Sequence, residues 1–430
     1  MTSATDTTSH WNWRAGLRYG AMGLPLTFVA LPLYIHLPNH YAKEFGIPLS
    51  VLGALLLGAR LVDAVIDPLL GRWCDGLLAR STRHALAWAG AACIALALGF
   101  VMLFFPPVRS EHALLAWVAV SLVWSYAAYS ALSILHQAWG ARLGGNEVYR
   151  SRVVAWREGM GLVGVILASI APIALGFPAT SALFSVAIGL GWWAWRYAPV
   201  PLPQSNSNLS PTYCAGQPSS LWLPLRRPGF RALLAVFIVN GIASAIPATL
   251  ILFFIQDRLQ APDSSQAMFL GTYFACAAVA MPLWLRLVRR LGLARSWRLG
   301  MLLSVGVFLG AAQLGAGDTT AFWMVCALSG AALGSDLAIP AALLAGTVAG
   351  AGDGGRAEGA YFGWWNFATK FNLALAAGLA LPLLAWWGYV PGTRSPAALQ
   401  TLTVVYCLLP CGLKAIAALL LQTLIIRRSP

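Results

Sequence analysis

Three ionisable side chains sit in one otherwise apolar stretch, Arg60-Leu-Val-Asp63-Ala-Val-Ile-Asp67-Pro68. The surrounding residues predict a membrane-spanning helix, where each Arg or Asp near the centre costs roughly 2.5–3.5 kcal/mol on insertion scales. Asp63 and Asp67 are four residues apart and share a helical face, with Arg60 one turn before them. Two carboxylates and a cation facing the interior of a helix bundle can hold an ion or a proton. That chemistry is transport.

The elements that must position them follow from composition. The chain is 59% hydrophobic and 10% charged, against about 25% charged in soluble domains. Apolar spans lie near 15–38, 47–71, 85–106, 113–138, 153–177, 180–197, 232–256, 266–288, 297–315, 320–349, 360–388 and 398–426, which predicts an all-α integral membrane protein of twelve helices. Residues 1–12 hold no apolar core ahead of a cleavage site, so a removable signal peptide is not expected. The net charge of +14 is distributed by topology. Lys43, Arg109, Arg258 and Arg394 fall on one side, and Arg60, Lys370 and Lys414 within spans. Every other Lys and Arg lies at the termini or in alternate connections on the opposite side. The positive-inside rule makes that side, with both termini, cytoplasmic, and leaves no case for nucleic-acid binding. Residues 198–229 are rich in Pro, Ser and Asn and read as a cytoplasmic linker. It divides the chain into six-helix bundles at 1–197 and 230–430, the layout of major facilitator transporters.

Other motifs are weighed against this frame. Gly159, Gly161 and Gly164 match a dinucleotide fingerprint but open a span with no preceding strand, so a nucleotide site is set aside. The seven cysteines include no CxxC pair and read as packed thiols. Span 4 carries Tyr126, Tyr129, Ser130, Ser133, His136 and Gln137 at helical spacing, a polar stripe. Span 5 begins with Arg152 and Arg157-Glu158. Span 7 carries Asn240 and Ser244, span 10 carries Asp336, and span 11 carries Trp364, Trp365, Asn366, Lys370 and Asn372. Blander readings stay open. Asp63 and Asp67 serve as structural partners of Arg60 and Lys370, and Arg152 as a surface anchor. Asp336 is an interfacial helix-end residue, and the Tyr and Trp side chains pack helices or line the membrane interface. His136 reads as a hydrogen-bonded packing residue.

RLVDAVIDPLLGRWCD resembles the second-helix signature of the glycoside–pentoside–hexuronide:cation symporters, the melibiose-permease branch of the major facilitator superfamily, through Arg60, Asp63, Asp67, Pro68, Gly71 and Asp75. RSRVVAWREGMGLVG resembles the family's entry to the fifth helix, NGIASAIPATLILFFIQD its seventh, and the segment from Arg356 through Lys370 to the GYVP turn its eleventh. The resemblance implies that Asp63 and Asp67 bind the coupling cation, with Arg60 and Lys370 as charged partners that alternate with it. It places Arg152 at the substrate cavity or its cytoplasmic gate. Tyr126, Tyr129, Ser130, Trp364 and Asn366 are the further candidates for the substrate cavity, and Asp75, Arg157 and Glu158 those for gating. Where sugar-using members carry acids on helices 1 and 4, this chain has Pro25 and Ser130. Where sodium-using members carry an Asn and a Thr, it has Ile66 and Ala127.

A proton needs only a carboxylate, whereas sodium needs several oxygens, so H+ is favoured over Na+ as the coupling ion. No other cofactor and no metal is expected. The expected function is cation-coupled symport of a small organic solute, nominally a sugar or glycoside, by a monomer in the lipid of the plasma (inner) membrane. Rival readings carry an amphipathic solute such as a lysolipid on the same machinery, or make the chain a transport-dead sensor or scaffold. No nucleophile–base pair or metal-ligand cluster supports an enzyme.

Overall fold

The computed structural model describes residues 11–201 and 220–427, all of them helix, turn or coil. Of the expected linker, residues 202–219 lie outside the described residues, as does Arg428. Helix contacts divide the chain into two compact units. The first is Met1–Leu221 with Val348–Gly363, and the second is Trp222–Thr347 with Trp364–Pro430.

The first unit opens with three short helices, α1 (Trp13–Gly20), α2 (Gly23–Phe28) and α3 (Leu37–Phe45), with a π-helical turn at Pro32–His36 before α3. Long helices follow: α4 (Leu49–Arg80), α5 (Thr82–Phe104), α6 (Glu111–Arg142) and α7 (Glu147–Trp195). Side-chain oxygens start several of them. Asn12 accepts from Ala15 N, Ser81 from His84 N and Asn146 from Tyr149 N, each satisfying an amide that the first helical turn leaves open. Gly176, at φ 74°, breaks α7 into two arms. That left-handed backbone carries no penalty in glycine.

In the second unit, α8 (Leu223–Arg226) leads into α9 (Pro228–Phe253), α10 (Asp263–Leu291), α11 (Leu293–Ala311), α12 (Thr319–Ala338) and α13 (Pro340–Gly350). Then come α14 (Glu358–Trp386), whose first turns to Gly363 belong to the first unit, α15 (Pro396–Thr403) and α16 (Leu409–Leu421). Among the described residues, eight helical stretches are long and apolar enough to cross a membrane. They contain α5, α6, α7, α9, α10, α12 with α13, α14, and α15 with α16. The charged helix α4 and the interrupted α1–α3 segment are not among them.

Glycines set the closest helix approaches. A Cβ on Gly20 or Gly23 would strike the α7 backbone at Trp156 or Arg157, and one on Gly164 would strike the α2 carbonyl of Leu24. Thr27 Oγ1 donates to Gly161 O at 2.6 Å across the same seam. Gly161 and Gly164 of the nucleotide-like motif are thus spent on helix packing, the common use of small residues within a membrane. Aromatic layers fill each unit separately. Phe184 lies 5.7 Å from Phe28 and 4.8 Å from Phe100 in the first, and Phe254 stacks on Tyr406 at 4.2 Å in the second.

Candidate functional site

Helix α4 shows two faces. Asp63, Asp67 and Asp75 are 3%, 0% and 2% exposed, on the side that also buries Pro68 and Gly71. Leu61, Val62, Val65 and Leu69 point outward. The spacing of four therefore aims both intramembrane carboxylates inward, and α6 packs against that side. There Ser130 Oγ donates to Asp63 Oδ1 at 2.7 Å. Arg60 is half-buried one turn earlier. A pair of buried carboxylates with a hydroxyl on one of them can take up a small cation or a proton.

The remaining expected residues are placed as follows. Tyr126 is buried and Tyr129 half-buried on α6, in the turn that leads to Ser130. His136 Nε2 lies 2.9 Å from Tyr19 O, with its ring stacked on Tyr19 at 4.2 Å, so it packs α6 on α1. Arg152 is half-buried on α7. Arg157 and Glu158 pair with each other, Arg157 Nε donating to Glu158 Oε1 at 3.0 Å. Trp364, Asn366 and Lys370, all half-buried, belong to the second unit, where the Trp364 ring lies 5.5 Å from Trp222 and 5.6 Å from Phe367. Asp63, Asp67 and Ser130 are thus brought together within one unit, whereas Lys370 belongs to the other.

Asp75 is the centre of a second cluster in the first unit. Its Oδ1 accepts from Arg142 Nη2 at 3.1 Å and from Gly359 N at 2.8 Å, and its Oδ2 accepts from Ala360 N at 2.8 Å. Arg142 Nε also donates to Glu358 Oε2 at 2.9 Å. The α14 start comes this close because Gly71 and Gly359 face each other: a Cβ on either would strike the other's carbonyl oxygen. Amides at the N-terminus of α14 thus hold the Asp75 carboxylate, as helix N-termini hold anions generally. Arg142 and Glu358 were missed from sequence. Arg142 reads there as one of many basic residues flanking spans.

A third constellation lies in the second unit. Lys414 Nζ on α16 donates to Asp336 Oδ2 at 2.8 Å and to Asn240 Oδ1 at 3.0 Å. Asp336 also accepts from Asn240 Nδ2 at 3.1 Å, from Trp297 Nε1 at 2.8 Å and from Ser244 Oγ at 3.4 Å. The open reading of Asp336 as an interfacial helix-end residue gives way to a carboxylate held by donors from α9, α11 and α16. Lys414, Asp336, Asn240 and Ser244 each stood out as polar residues within apolar spans, but nothing in the sequence joined them.

The sequence pattern of the family described as MFS/sugar transport protein matches residues 16–196 and 221–428. A sulfoquinovose importer of Salmonella typhimurium is 26% identical over 409 residues, covering 90% of this chain and 84% of that protein. An isoprimeverose transporter of Lactiplantibacillus pentosus is 24% identical over 429 residues, covering 95% and 88%. Among solved structures, a bacterial homologue of the iron transporter ferroportin superposes with a TM-score of 0.71 at 15% identity, covering 95% of this chain and 99% of that one. The major facilitator transporter FucP gives 0.65 at 14% identity, covering 94% and 98%. At these identities the superpositions speak for the fold alone.

Proposed function

The chain belongs to the sugar-transport family of the major facilitator superfamily, as a multi-pass transporter of the plasma (inner) membrane and not an enzyme, and from that premise we propose that it is a cation-coupled sugar or glycoside symporter. The observation that carries the coupling is the buried pair Asp63 and Asp67 on one face of α4, with the Ser130 hydroxyl on Asp63. Relatives that carry sulfoquinovose or isoprimeverose by name support a sugar as the cargo.

The proposed topology has twelve spans with both termini in the cytoplasm. Eight stretches qualify outright. At about 1.5 Å per residue, the 49 residues of α7 extend over about 73 Å, enough to cross a hydrocarbon core of about 30 Å twice around the Gly176 break. Helix α4, α11 and the α1–α3 segment supply the rest. Six spans on each side of the linker would work by alternating access. With the cation absent, Arg60 and Lys370 neutralise the acids; with it bound, they are released. H+ is the proposed ion, because Ile66 and Ala127 stand where a sodium site would need neutral oxygens. Arg152, Tyr126, Tyr129, Trp364 and Asn366 are the proposed solute contacts, and the Asp75 cluster and the Arg157–Glu158 pair the gate.

Uptake of radiolabelled sugars into vesicles holding the purified protein tests this. A pH gradient should drive accumulation, and Asp63→Asn or Asp67→Asn should abolish it. Accumulation that follows a Na+ gradient alone would overturn the ion assignment. Undiminished gradient-driven uptake by both variants would overturn the site.

A further inference from the structure

A cavity of about 200 Å³ lies wholly within the second unit, lined by α9, α10, α11, α12, α16 and the π-helical turn at Val404–Leu408 that precedes α16. Its walls are mostly apolar: Ile251, Leu270, Phe274, Val305, Phe308 and Phe322. One end is different. Asp336 and Lys414 line it there, with Ser244 beside them. An ammonium carries three N–H donors, and those of Lys414 reach Asp336 and Asn240 as described. One donor is left over, on a lysine only 5% exposed. The hydroxyls of Tyr273, Ser304, Ser329 and Tyr406 also line the cavity, Tyr406 being 2% and Ser304 5% exposed. A buried donor ordinarily finds a hydrogen-bond partner, so the spare N–H of Lys414 marks where a guest's polar atom belongs.

The chemistry of the walls selects the guest. A sugar would set most of its hydroxyls against phenylalanine rings, which leaves them unsatisfied. An anion gains little from Lys414, whose charge Asp336 already balances at 2.8 Å. A cation gains little from Asp336, whose oxygens already accept from Lys414, Asn240, Trp297 and Ser244. What fits is an uncharged molecule with one oxygen and an apolar body. By comparison with benzene in an engineered cavity of about 150 Å³, the space suits on the order of ten non-hydrogen atoms.

We infer that this cavity is a binding site for small uncharged amphipathic molecules, alkanols or phenol-like alcohols, whose oxygen meets Lys414 at the polar end. The site stands apart from the Asp63–Asp67 pair, which lies in the other unit, and it does not depend on what the transporter carries.

The full-length protein in lipid nanodiscs can be labelled with the photoreactive alcohol 3-azioctanol and its adducts mapped by mass spectrometry. The expected adducts fall on Tyr273, Phe274, Tyr406 or Cys411, all of which line the cavity. Excess 1-octanol should suppress them at least fivefold more than excess n-octane does, because only the alcohol meets the polar end. Ser329→Trp, which fills the cavity from α12, should lose the same adducts while retaining the wild-type elution profile. Should that variant not fold, the octanol–octane comparison on the wild-type chain decides alone. Adducts confined to outward-facing residues such as Val279 and Leu283, or equal suppression by the alkane, would overturn the assignment.

Discussion

Arg142→Met should be among the most destabilising single substitutions at a charged residue in this chain. Arg142 is 7% exposed and stands between Asp75 and Glu358, whose side chains are 2% and 3% exposed. Its loss leaves two buried carboxylates side by side with no cation, the situation in which breaking a buried pair costs about 3–5 kcal/mol. The structure argues for the low end of that range. Asp75 keeps the amides of Gly359 and Ala360, and Glu358 keeps that of Gly355. At about 2–4 °C per kcal/mol for a unit of this size, roughly 3 kcal/mol lowers the thermal midpoint by about 6–12 °C. A thiol-reactive dye reads this directly, because Cys74, Cys93, Cys326, Cys407 and Cys411 are buried and react only on unfolding. Adding Glu358→Gln to Arg142→Met should recover part of the loss, since one of the stranded charges is then gone. If Arg142→Met falls no further than Arg80→Met at an exposed position, or if Glu358→Gln worsens it, the electrostatic account of the cluster fails.

Three other outcomes follow from the geometry. Ser130→Ala removes a donor to a buried carboxylate, an interaction of about 1.5–3 kcal/mol, and should change the apparent affinity for the coupling ion by about tenfold or more in vesicle uptake; an unchanged affinity would detach Ser130 from the site. Lys414→Met should lower the thermal midpoint, and Lys414→Met with Asp336→Asn should restore most of it, because the cost lies in the stranded charge. Gly164→Leu should sharply reduce the folded fraction on gel filtration, whereas Gly189→Leu, where a Cβ meets nothing within 4 Å, should not.

What was legible in the sequence was local. The spacing of Asp63 and Asp67 sufficed to put them on one face of α4, because helical period converts sequence distance into direction without help from the rest of the fold. The apolar runs were readable because each is contiguous in the sequence. Pairings between distant residues were not. Arg142 meets Glu358 across 216 positions and Asp75 across 67, and Lys414 meets Asp336 across 78. No periodicity encodes such distances. Ser130 is the instructive intermediate. In the sequence it is one member of a polar stripe, but a stripe has no address. Only the packing of α6 on α4 directs its hydroxyl to Asp63. The Gly159–Gly164 run shows the converse, in which a motif rejected for want of a strand turns out to be the surface on which Thr27 and Leu24 rest.

The break in α7 bears on how the protein is made. Its two arms meet at Gly176 with no connecting loop, and Pro178 follows at once. On the proposed twelve-span topology, a ribosome feeding this segment into a translocation channel would deliver two spans whose junction offers no charged residue for the machinery to sort. Its orientation must then be decided at the open ends, by Arg150, Arg152 and Arg157 before it and Arg196 after it. The two arms would enter the lipid together as one insertion event.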